Sequence, residues 1–167
     1  AELALGGLYY ESGRYDEAIR AFTSARDVWI EVAGPTHPSA LRAGFNLATT
    51  RSVVEKQTSA QTLELFRSLM VAGKSRFGAG SSAAHMFLAG YLSAAERSGD
   101  RSFALQILET DDARAVISAV SKERREALLV LIDLALAKAE CVASTHEVQI
   151  MCQNVKEFAA AMRIRSD

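Results

Sequence analysis

The clearest alternation of apolar and polar positions runs from Leu5 to Ala25, LGGLYYESGRYDEAIRAFTSA. Leu5 and Tyr9 are four apart and share one face of a helix, and Gly6 beside Leu5 leaves room for a second backbone to approach. After Ser12-Gly13-Arg14, Ala18, Phe22 and Ala25 stand at i, i+4 and i+7, a narrow apolar stripe with one ring between two small residues. The pattern predicts two antiparallel helices in which the Phe22 ring fills the space left at Gly6. It also predicts positive φ at Gly13 and an N-terminal dipole complemented by Asp16-Glu17.

Similar stripes recur along the chain. The first pair is expected over 1–32 and stops at Gly34-Pro35; Thr36 then caps a helix over 39–54 with Pro38 in its first turn. A helix at about 60–73 turns Leu63, Phe66 and Leu69 inward. Another at 83–97 follows the loop Gly78-Ala79-Gly80-Ser81-Ser82, in which Ser81 or Ser82 is the cap. After Ser98-Gly99-Asp100 comes a helix at 102–109, where Gly99, Ala104 and Leu108 return at the positions of Gly13, Ala18 and Phe22. Asp111-Asp112 can start a helix through Val120, and Ser121 can cap one from Lys122 to Ala143. The capping box Ser144-x-x-Glu147 opens a last helix to about Arg163, with Val148, Ile150-Met151, Val155, Phe158-Ala159 and Met162 on its apolar face. No window alternates with period two, so strand content is expected to be nil or nearly so.

Leu5-Gly6-x2-Tyr9 and Ala18-x3-Phe22 resemble the L-G-x2-Y and A-x3-F positions of the tetratricopeptide repeat. Leu47-Ala48 take the place of Leu5-Gly6 after 42 residues, and Phe66 stands 44 residues after Phe22, beyond the usual period of about 34. With the loop Gly34-Pro35-Thr36-His37-Pro38 and the run Phe45-Asn46-Leu47-Ala48, this looks like the long variant found in kinesin light chains and many bacterial regulatory proteins. The resemblance implies an all-α, right-handed superhelix of antiparallel helix pairs. About three repeats would cover 1–109, and a divergent fourth repeat with capping helices would cover 110–167 in one continuous solenoid, whose terminal apolar face must be covered. The C-terminal helices could instead pack back into the groove.

By the repeat register, the groove-facing residues of the first helix of each pair are Leu3, Gly7 and Tyr10, then Arg42, Phe45, Asn46 and Thr49, then Met86, Ser93 and Arg97. Such a strip suits an extended peptide or a helix, with Asn46 bonding a peptide backbone and Arg42 or Arg97 a carboxylate. The alternative is that these are simply solvated helix faces. The lysine and asparagine pattern that clamps chaperone-tail carboxylates is absent, since Phe45 and Thr49 stand where it would need other residues.

Composition narrows the partners. Net charge is -1, with the charges spread along the chain, so neither a nucleic-acid stripe nor a polybasic membrane patch is present. The most apolar stretch, Ala127 to Ala139, is interrupted by Asp133 and Lys138 and falls short of the roughly 20 residues a membrane span needs. Cys141 and Cys152 are too few for a disulfide framework and read as buried helix thiols in a reducing, cytoplasmic compartment. The chain begins at Ala1 without an initiator methionine or a leader, inside what reads as a repeat helix, as a fragment of a longer protein would.

Candidate chemistry is sparse. His37, His85 and His146 lie on separate segments without H-E-x-x-H spacing, and His37 is expected to pack or cap in its loop. His146-Glu147 with Cys141 and Cys152 lacks a fourth ligand, so neither metal nor cofactor is expected. The Gly78–Ser82 run lacks the lysine of a phosphate loop and has no G-x-S-x-G. Paired carboxylates fall at helix starts, and Trp29 is expected in the core or over the loop below it. No nucleophile, base and orienting group can be named together. The sequence therefore reads as a non-catalytic interaction module that binds another protein or a second copy of itself. The alternative is a regulatory sensor domain of a larger signalling or transcription protein, switched by a peptide or small ligand.

Overall fold

The computed structural model describes residues 2–98, 102–138 and 145–164, and every regular element among them is a helix. α1 (Glu2–Glu11) and α2 (Tyr15–Ala33) form the first pair, and α3 (Pro38–Val54) and α4 (Ala60–Phe77) the second. α5 (Ser82–Glu96) is followed by two short helices, α6 (Ser102–Leu108) and α7 (Asp111–Ala119), and then by α8 (Lys122–Lys138) and α9 (His146–Ile164). Gly99, Asp100, Cys141, Ser144 and the stretch 139–143 lie outside the described residues.

The helix boundaries follow from local chemistry. Gly13 has φ of +72°, as the first turn requires. Gly34 and Gly78 end α2 and α4 at φ of +89° and +88°. The loops after them are built alike: His37 N–H donates to Gly34 O and Ser81 N–H to Gly78 O, both at 3.2 Å. Each then caps the next helix. Ser81 Oγ accepts from Ala84 N–H at 3.1 Å, and His37 Nδ1 accepts from Ser39 N–H at 3.2 Å. The cap of α3 is therefore His37 and not Thr36, because Pro38 at the first helical position puts the extended residue immediately before it. The same 44-residue offset that separates Phe22 from Phe66 also separates these two loops.

α2 packs on α1 and α3, α3 on α4, and α4 on α5. α8 then lies along α5, α9 along α6 and α8, and α7 against α4 and α5. The result is an all-α helical repeat solenoid. Its main core runs from Leu41 to Met162, and a smaller cluster of Ala18, Phe22 and Leu47 sits under the first pair. Gly6 is the contact that the Phe22 ring needs: a Cβ there would lie 2.5 Å from Phe22 Cε1. Leu5, by contrast, is 43% exposed, because Gly6 occupies the inward position of α1. α4 continues through Gly73 to Phe77, since Gly73 is a packing residue beneath the Phe87 ring and not a helix stop. On α9, Met151, Val155, Ala159 and Met162 are buried, Val148 and Phe158 half-buried and Ile150 exposed.

Cys152 is buried and disulfide-bonded, which corrects its reading as a free thiol. A disulfide belongs to oxidising surroundings, so the cysteine argument for a cytoplasmic address falls away. Among the described residues, no helix is long and apolar enough to cross a membrane.

Candidate functional site

A cleft of about 200 Å³ opens between α1 and α3. Gly7, Tyr10 and Glu11, at i, i+3 and i+4 of α1, form one wall; Phe45, Asn46, Thr49 and Thr50 of α3 form the other. Phe22 of α2 also lines it. The Tyr10 ring rests edge-on against Tyr15, centroids 5.5 Å apart. Phe45 is half-buried and meets Phe66 and Phe87 at 5.9 and 5.4 Å. These contacts fix both rings before anything binds. The Asn46 carboxamide and the Arg42 guanidinium, one turn earlier on α3, have no hydrogen-bond or ion-pair partner among the described residues.

Five of the groove-facing residues named from sequence thus converge on one cleft: Gly7, Tyr10, Phe45, Asn46 and Thr49. Arg42 is exposed beside them on the same helix, Leu3 packs into the first-pair cluster, and Met86 is exposed on α5. Ser93 of α5 and Arg97, the residue that caps its C-terminal end, do not line the cleft. Arg97 is already engaged, its Nη2 donating to Ser52 Oγ at 3.0 Å and its carbonyl accepting from Thr58 N–H at 3.1 Å, so it ties the end of α5 to α3 and to the loop before α4. The lining residues Phe22, Glu11 and Thr50 were not singled out for the groove. Glu11 and Thr50 follow from helical spacing, four residues after Gly7 and Asn46.

This arrangement of a paired-helix core with a cleft between α1 and α3 is accompanied by a family match. Residues 1–65 match the tetratricopeptide repeat family. The matched segment takes in α1, α2, α3 and the start of α4, and so includes the whole cleft. No curated protein and no solved structure matches the chain.

The histidines are dispersed. His37 stacks flat on Trp29, ring centroids 4.7 Å apart and planes 9° from parallel, so Trp29 covers the loop. His146 is exposed at the start of α9. Among the described residues no three His, Cys, Asp or Glu side chains are grouped to hold a metal ion.

His85 of α5 has its Nε2 buried without a hydrogen-bond partner, and burial, reinforced by the Arg124 charge, lowers its affinity for a proton from the ordinary 6.5. The unfolded chain takes up that proton near pH 6.5 while the folded chain resists it, so His85 costs stability as pH falls below 6.5. His85→Gln is expected to flatten the dependence of Tm on pH in the acid range. Slopes that coincide for the two chains would show that the ring is not shielded.

Proposed function

We propose that the chain is a non-catalytic protein-interaction module that takes a peptide segment or a helix of another protein along the α1–α3 face. The carrying observation is a preformed cleft with pinned aromatic walls, beside which two uncommitted polar anchors, the Asn46 carboxamide and the Arg42 guanidinium, stand on the same helix. An amide offers donor and acceptor to a peptide backbone, and the guanidinium suits a partner carboxylate. The tetratricopeptide match over the same residues favours protein partners.

We read residues 1–109 as three repeats and 110–167 as a divergent fourth with its cap, one solenoid. Supporting this, α8 continues the row of α5, and α9 the row of α6. The 42- and 44-residue offsets favour the long, kinesin-light-chain-like form of the repeat.

The test is to select a binder for the native chain from a displayed peptide library and to measure its affinity by fluorescence anisotropy for Arg42→Glu/Asn46→Ala. Loss of a hydrogen-bonded anchor should weaken binding roughly ten- to a hundred-fold. Equal affinity of both forms, or a library that returns no binder, would remove the cleft as the partner site.

A further inference from the structure

A second cavity, of about 300 Å³, lies between α4 and α6 and shares no lining residue with the α1–α3 cleft. Its origin is a break in the chain. α6 has only 7 residues; the backbone turns at Glu109-Thr110, and Thr110 Oγ1 caps α7 by accepting from Ala113 N–H at 3.3 Å. It is α7 that reaches α4, held by the Lys74–Asp112 ion pair and by Gly80, where a Cβ would lie 2.8 Å from Ala119 O. Between α6 and the N-terminal half of α4 the space stays open.

The chemistry of that space is one-sided. Leu63 of α4 and Phe103 and Ile107 of α6 give it apolar walls, and Tyr91 of α5 contributes its ring and hydroxyl. The Tyr91 hydroxyl donates to Phe103 O at 3.2 Å, so what its oxygen still has to offer is a lone pair. Gln106 Nε2 donates one of its two N–H groups to Ser102 Oγ at 3.2 Å, and its amide carbonyl is left to accept. At the rim, Arg67 holds Glu64 through two hydrogen bonds of 2.8 and 2.9 Å, so the pair adds no net charge. Burial pushes the Tyr91 hydroxyl up to about 12, which keeps it protonated at working pH. The acceptor lone pair on Tyr91 inside apolar walls, with no net charge at the rim, suits a neutral ring compound with a proton to donate.

We infer that the cavity between α4 and α6 is a binding site for a small neutral aromatic molecule carrying an N–H or O–H donor, of the size of indole or phenol. Its volume lies at the lower end of the range for small-molecule sites.

Fluoroindole followed by fluorine NMR is the probe. The native chain should give a saturable shift. Ala60→Trp, at the exposed first residue of α4 on the cavity wall, should weaken it by roughly ten-fold or more by occupying the space. Gln106→Trp, exposed on the opposite wall, serves as a second block if the first perturbs the fold. Thr49→Trp, in the α1–α3 cleft, should leave the titration unchanged, which separates this site from the peptide cleft. No saturable shift with the native chain, undiminished binding by both blocked variants, or loss in Thr49→Trp would each overturn the assignment.

Discussion

Phe66→Ala is expected to reduce the free energy of unfolding by about 4 kcal/mol, among the largest effects of any single truncation in the chain. Phe66 is 1% exposed at the middle of α4. Its ring meets Phe45 of α3 edge-on at 5.9 Å and approaches α5 at Gly90, where a Cβ would lie 2.8 Å from Phe66 Cε1. One ring therefore joins three helices, and none can close over the gap without moving the other two. Phe22→Ala should cost less, because Phe22 belongs to the smaller cluster under the first pair, at the end of the array. Urea denaturation followed by helical circular dichroism would measure both. A loss under about 1 kcal/mol for Phe66→Ala would mean that the neighbouring helices collapse freely onto the vacated site.

Gly73→Leu should destabilise by about 3 kcal/mol, whereas Gly7→Ala should stabilise by about 1 kcal/mol. Both glycines sit inside helices, where replacing glycine normally helps the backbone. At Gly73 a Cβ would lie 2.6 Å from the Phe87 ring, and Phe87 is itself buried between α4 and α5, so the ring has nowhere to go. At Gly7 a Cβ meets nothing within 4 Å. The pair of opposite signs, read from the same denaturation curves, checks the α4–α5 approach. Gly73→Leu as stable as the native chain would contradict it.

What the sequence made legible was mostly short-range. The stripe Ala18, Phe22, Ala25 and the gap at Gly6 follow from helical spacing within one pair, and the structure has them in contact or buried as that spacing requires. Positions that depend on a partner distant in sequence were harder. Gly73 looks like a terminator until Phe87 is seen above it, and Leu5, which shares a face with Tyr9 by spacing, is exposed because Gly6 takes the inward position. The likeness of the two inter-pair loops was hidden because GPTHP and GAGSS share only their first glycine, while the hydrogen bonds that make them alike are backbone ones.

For the cleft, helical register alone was enough to bring α1 and α3 residues together. Ser93 and Arg97 stand apart from that cleft, and Arg97 is bound to Ser52, a pairing 45 positions apart that no periodicity reveals. The cavity beside Tyr91 was invisible for a similar reason. It depends on the turn at Glu109-Thr110 carrying the chain away from α4 and on α7 bringing it back.

α5 touches α3, α4, α6, α7 and α8, whereas α1 and α2 reach the remainder of the array chiefly through α3. In mechanical terms the molecule has a keel and not a uniform backbone: strain entering at either end converges on one strut of 15 residues. A partner that levers the first pair would therefore turn it as a blade about α3, while the C-terminal helices, bolted to α5 from two sides, would stay still.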